Sequence, residues 1–111
     1  MKISVEIITD LNTGETIIID ERNFYDCVEF QLKIIREKAA EIILLGAPEY
    51  KQRNAALGIL SQQEINEIKN LIETTRNKSN QLEQQILAVT WDGKESTKTL
   101  ACDTVQSISW S

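Results

Sequence analysis

The sequence predicts a mainly α protein: an N-terminal β-hairpin, then a long helical hairpin or coiled-coil-like bundle with a short corner helix and a C-terminal helix. Three observations predict it. From Ile65 onward apolar residues recur at 3–4 spacing through Ile68, Ile72, Leu82, Ile86 and Val89. The apolar content is carried by Ile and Leu, with only two each of Phe, Tyr and Trp, a composition that suits helix–helix seams. Helix stop and start signals then punctuate the chain at Gly46-Ala47-Pro48 and at Ser61-x-x-Glu64.

The 111 residues suffice for one domain. Residues 1–20 read as the hairpin. "KISVEIITD" alternates Ile3, Val5 and Ile7 against Lys2, Ser4 and Glu6, and the turn "DLNTGE" offers Gly14 for positive φ before "TIIID". Ile17, Ile18 and Ile19 in succession predict apolar side chains on both faces of the second strand. A two-stranded ribbon is marginal alone, so it must lie on the helices or pair with strands of another chain.

A first helix spans 23–45. Asn23 with Asp26 resembles an N-cap and its N3 acid, and Phe24, Val28, Ile35, Ala39 and Ile42 mark the inward face, widened by Leu32. Pro48 suits the first turn of a short helix, 48–58; Ala56, Leu57 and the following Leu60 face inward, and Leu57 and Leu60 lock the long helices together. Ser61 and Glu64 form a capping box for the long helix, 61–89. At about 1.5 Å per residue that helix is a rod of about 43 Å, long for a domain whose compact radius of gyration would be about 13 Å. After "TWDG", Asp92 with Glu95, or Ser96, caps a final helix at 93–109 with Leu100, Ala101, Val105 and Ile108 inward.

Composition excludes most chemistry. With no histidine there are no His bases, His triads or His metal ligands. The four glycines are scattered, so no phosphate-cradling loop is present. A carboxylate site at Glu29, Glu37 and Glu41 would need a divalent cation, but these acids interleave with Lys33, Arg36 and Lys38 as surface pairs do. No catalytic residue, cofactor or metal is therefore assigned, and the chain reads as a non-enzyme. The net charge of −5 argues against a nucleic-acid surface. No signal peptide or long apolar run is evident, so the chain reads as cytoplasmic and non-membrane. Cys27 and Cys102, far apart in sequence, are expected reduced and partly buried.

The candidate site is thus an interface. The seam Ile65, Ile68, Ile72, Thr75, Ser79, Leu82, Ile86 and Val89 either drives self-association or packs on the first helix. Isoleucine at both kinds of seam position favours three strands over two. Thr75 and Ser79 either set register or sit where the hairpin meets water. Trp110 either folds back or inserts into a neighbour. Tyr50 and Arg53, in the corner, either satisfy helix ends or reach another subunit.

The segment "PEYKQRN", with Pro48, Tyr50, Lys51, Gln52, Arg53 and Asn54, precedes a long helix carrying Arg76, Ser79, Asn80, Leu82 and Glu83 and then "TWDG". This succession, over about residues 46–93, resembles small proteins encoded among bacteriophage and prophage tail genes. In many of them "P-x-[YW]-[KM]-Q-R-N" precedes a helix ending in "R-x-x-S-[ND]-x-[LI]-E"; the hairpin's "D-x-x-T-G-E" turn is found in the same gene neighbourhoods. The resemblance implies a virion protein of the tail or tail fibre, made in the host cytoplasm. Such a protein would be non-catalytic, commonly trimeric, and partnered by itself and by other tail or fibre proteins. The sequence lacks fibre-like repeats and a receptor-binding β-domain, which favours an adaptor or connector. The alternative is a fibre-assembly chaperone not retained in the particle.

Overall fold

The computed structural model describes residues 2–110, and at positions 17 and 18 the backbone alone. Strands β1 (Glu6–Thr9) and β2 (Thr16–Ile19) pair antiparallel with Ile7 opposite Ile18 and Ile8 opposite Ile17. Helices α1 (Phe24–Gly46), α2 (Glu49–Ala56), α3 (Gln62–Leu87) and α4 (Glu95–Ser107) follow. The chain is mainly α, the class its periodicity predicts.

The hairpin turn closes as its residues dictate. Asp10 N–H donates to Glu15 O (2.7 Å), the Asp10 carboxylate accepts from Asn12 N–H (2.8 Å), and Gly14 takes φ +72°. The strands themselves are short and lie off the helices: β1 is exposed along its length, with Ile7 69% and Ile8 48% accessible. Among the described residues the ribbon is anchored at its base, where Gln106 Nε2 donates to Ile3 O (2.6 Å) and Ile3 and Val5 are half-buried. The expectation for Ile17 and Ile18 falls outside the described side chains; Ile19 is half-buried.

The strongest anchor lies between β2 and α1. Arg22 is 2% exposed. Its guanidinium donates to both Asp20 carboxylate oxygens (2.9 and 2.7 Å), to Asp103 (2.8 Å) and to Gln106 Oε1 (2.7 Å). Lys98, also buried, donates to Asp20 O (2.8 Å), and Thr99 Oγ1 donates to Asp20 Oδ2 (2.7 Å). The network fastens the chain entering α1 to the outer face of α4.

α1 begins as its sequence directs, with Asn23 accepting from Asp26 N–H (3.1 Å). Its buried stripe is Phe24, Cys27, Gln31, Ile35 and Ala39, while Val28, Leu32 and Ile42 flank it half-buried. Cys27 and Gln31 take the central positions expected for Val28 and Leu32 because Gln31 Nε2 donates to Ile108 O (2.7 Å), which removes the cost of burying its amide.

α4 shows the same displacement. Lys98, Ala101, Cys102 and Val105 face the core, and Leu100, expected inward, is 73% exposed. Neither expected cap forms. Asp92 Oδ1 accepts from Lys94 N–H (2.9 Å) and Thr97 Oγ1 (2.6 Å) instead, so the turn is an Asx turn and α4 starts at Glu95 with Lys94 at the cap.

The packed core (Phe24, Cys27, Ile35, Leu82, Ile86, Ala101, Cys102, Val105) sits where the N-terminal half of α1, the C-terminal half of α3 and α4 converge. Beyond it α1 and α3 continue as a two-helix arm ending in α2. Extents of 70 × 31 × 21 Å and a radius of gyration of 20.5 Å describe the resulting rod.

The hydrogen bond from Arg22, more than any other contact, holds the Asp20 carboxyl well below the usual carboxylate range. A depressed folded value stabilises the fold above the ordinary carboxylate range and is lost as pH falls through the folded value. Asp20→Asn is expected to lower stability at neutral pH by about 3 kcal/mol. It should also flatten the loss of stability below about pH 4, measured by urea unfolding across acid pH.

Candidate functional site: the long-helix seam and the distal corner

α3 opens on Ser61, whose hydroxyl accepts from Glu64 N–H (3.2 Å) and donates to Glu64 Oε1 (3.1 Å). Its apolar stripe turns onto α1. Two contacts fix the antiparallel register: the Arg36–Glu83 ion pair, and the approach of Leu71 to Gly46, where a Cβ would meet Leu71 Cδ2 at 2.4 Å. Gly46 is therefore small because α3 passes close to it; its φ is not positive, and α1 runs through it to a cap at Ala47. This register brings Ala39 to the level of Ser79, and both of these small residues are buried.

The predicted seam divides at this level. Thr75, Ser79, Leu82 and Ile86 are buried within the chain, while Ile65, Ile68, Ile72 and Val89 are half-buried. Within the chain the first four pack inside the intramolecular hairpin, and the other four leave part of the stripe open. Among the described residues no buried side-chain nitrogen or oxygen lacks a partner, so the polar pair is accommodated without cost. Val89 lies beyond the helix, which ends at Leu87.

Trp110 folds back. Its Nε1 donates to Ile35 O (3.0 Å), and Lys78 Nζ stands 5.7 Å over the ring. The half-buried residue packs against the core.

The corner differs from its expected form. Gln52 is the structural member of "PEYKQRN": its Nε2 donates to Ala47 O (2.6 Å), satisfying a carbonyl at the end of α1. Tyr50 (59% accessible) and Arg53 point to solvent. Leu57, expected to lock the long helices, is 68% exposed, and Ala56 is exposed as well. The reason is the end of α2. Leu57 caps it and Gly58 takes φ +74°, which turns the chain away before Leu57 reaches the arm. Leu44, Leu45 and Ile59 are also exposed, so residues 44–59 display five large apolar side chains at the far end of the rod.

A concavity of about 370 Å³ lies beside Trp91 and is lined by Thr90, Asp92, Thr97, Leu100 and Thr104. Its polar groups are already engaged. Trp91 Nε1 donates to Lys94 O (2.9 Å), Thr97 to Asp92, and Thr104 Oγ1 to Leu100 O (2.7 Å). The Thr97 hydroxyl and Lys94 N–H hold the Asp92 carboxyl below its ordinary value. Trp91 meets Phe24 at a tilt and Tyr25 edge to face, with ring centroids 5.7 and 6.4 Å apart, and covers the core. Glu37 and Glu41 pair with Lys33 (3.8 Å) and Lys38 (3.4 Å) on the surface of α1. No helix of the described residues is long and apolar enough to cross a membrane.

Sequence reasoning missed Arg22, Lys98, Gln31 and Gln106, the polar side chains that organise the core end. Their one sequence signal is position: Gln31 and Lys98 stand at 3–4 spacing within otherwise apolar stripes, and Arg22 follows Asp20 at the strand–helix junction.

Comparison with protein families, with curated proteins and with solved structures finds no match for this chain.

Measured at dilutions where the chain is monomeric, Gln52→Ala is expected to cost about 1 kcal/mol by leaving Ala47 O without its donor, whereas Arg53→Ala should stay within about 0.5 kcal/mol of the parent. Thermal or urea unfolding of the two variants side by side checks the assignment of Gln52 to the fold and Arg53 to the surface.

Proposed function

We propose that the chain is a non-catalytic connector of a bacteriophage tail or tail-fibre region, self-associating and docking through the distal corner of its helical arm. The observation that carries this reading is the group of exposed apolar residues Leu44, Leu45, Tyr50, Leu57 and Ile59 at the end of a 70 Å rod. Apolar residues gathered at one end of an elongated molecule favour an interface over a solvated surface. Arg53, beside them, is the kind of residue that anchors such contacts. The half-open seam residues Ile65, Ile68 and Ile72 extend the same surface along α3. Their isoleucines support a trimer rather than a dimer. The likeness of "PEYKQRN" to phage tail-region proteins supports the setting, because Tyr50, Lys51, Arg53 and Asn54 lie on this corner.

Light scattering at tens of micromolar tests self-association. A trimeric mass is expected for the parent chain, falling to monomer in Leu45→Glu with Leu57→Glu and weakening about tenfold or more in Arg53→Ala. A monomeric mass at all concentrations, with no shift on adding tail or fibre proteins, would overturn the reading. Peptide mass spectrometry of purified particles separates the two roles. Stoichiometric presence supports the connector, and absence assigns the chain to transient assembly.

A further inference from the structure

The two cysteines of the chain, 75 positions apart, meet in the core. Cys27, in the first turn of α1, is 1% exposed, and Cys102, in the middle of α4, is 0% exposed. The two thiols belong to one packed core cluster, on helices that pack against each other, and they are not bridged. One of the sulfurs is held in place from outside the pair. Gln106 Nε2 donates to Cys27 Sγ (3.8 Å) and to Ile3 O (2.6 Å), while Gln106 Oε1 accepts from Arg22 (2.7 Å). The elements that carry the thiols are themselves fixed by the Arg22 and Lys98 network. Two buried thiols in one core cluster, on clamped helices, have little freedom left to lose on joining.

We propose that Cys27 and Cys102 are the site of an intrachain disulfide, closed by exchange with a low-molecular-weight disulfide of the glutathione class. This inference is independent of the tail-region reading.

The closed core is inert. Burial, and then the neighbouring Cys102, push the Cys27 thiol up to about 11, so the thiolate that attacks disulfides is scarce while α4 is docked. Exchange therefore begins when α4 opens or before it docks. A cysteine thiolate then attacks a sulfur of the oxidised reagent, giving a mixed disulfide and one glutathione thiolate, which takes up a proton. The second cysteine, as its thiolate, attacks the protein sulfur of the mixed disulfide and expels the second glutathione. Two protein thiols have given up two electrons and two protons, and the reagent disulfide has become two thiols. Once α4 docks, the same burial that protected the thiols shields the bond from reductants.

The test folds the full chain by dilution from urea into a mixture of oxidised and reduced glutathione, then alkylates and measures intact mass. The expected product is about 2 Da lighter than the reduced chain and takes up no alkylating reagent. A linked Cys27–Cys102 peptide, undiminished helical circular dichroism and a Tm raised by about 5 °C or more complete the expectation. Cys27→Ala and Cys102→Ala, tested separately so that one failing to fold leaves the other, should not show the 2 Da loss. Two free thiols after folding, glutathione adducts that do not resolve, or a bridged product with reduced helicity or a lower Tm would each overturn the proposal.

Discussion

Arg22 carries a full charge into a site almost closed to solvent, and this placement organises one end of the molecule. A guanidinium cannot give up its proton to ease burial, so every donor it presents must find an oxygen. Those oxygens come from Asp20 at the end of the hairpin and from Thr99, Asp103 and Gln106 along α4. Segments about 80 residues apart in sequence are thereby held to one position. The contributions differ in weight. Asp20 is almost wholly screened from solvent and binds through both carboxylate oxygens, whereas the Asp103 side chain is 60% exposed and its ion pair adds little beyond direction. With α4 held in this way, Ala101, Cys102 and Val105 meet Cys27 and Ile35, and the aromatic cover of Phe24 and Trp91 closes over them.

The two ends of the rod follow different rules. At the core end three helices supply apolar stripes, and fully buried Ile35, Ile86 and Val105 fill the space between them. Along the arm only α1 and α3 remain, and two helices cannot surround a seam. Ile65, Ile68 and Ile72 are consequently half-open although they continue the stripe that buries Leu82 and Ile86. The small buried residues Ala39 and Ser79, together with Gly46 under Leu71, lie along this stretch. Gln52 secures the far end through a single carbonyl.

Much of the architecture was legible in the sequence because it rests on local rules. Asn23 and Ser61 cap their helices, Gly14 takes positive φ, and the α3 stripe follows its 3–4 spacing. The failures share a cause. Val28 and Leu100 were ranked above Cys27, Gln31, Lys98 and Cys102 because hydrophobicity was read residue by residue. Whether a polar side chain is buried depends on a partner that is remote in sequence, such as Ile108 O for Gln31 or Asp20 O for Lys98. The candidate interface was legible as a stripe but not in its allocation. Periodicity identifies which α3 residues share a face, but does not say whether α1 or another chain covers them. Leu57 was misplaced because one left-handed glycine after α2 redirects the chain, a geometric effect that composition does not carry.

The concentration of the core at one end also has a mechanical consequence. The arm is a pair of stiff helices rooted in a three-helix base, so it acts as a lever. A tilt of about 10° at the root would carry a tip about 30 Å away through about 5 Å, roughly the pitch of one helical turn. The register contacts along the arm, Arg36 with Glu83 and Leu71 over Gly46, oppose sliding of the helices past one another but leave such a tilt open. A load applied at the corner would therefore be felt chiefly where the arm enters the core, around Ile35 and the indole of Trp110 that is hydrogen-bonded to its carbonyl.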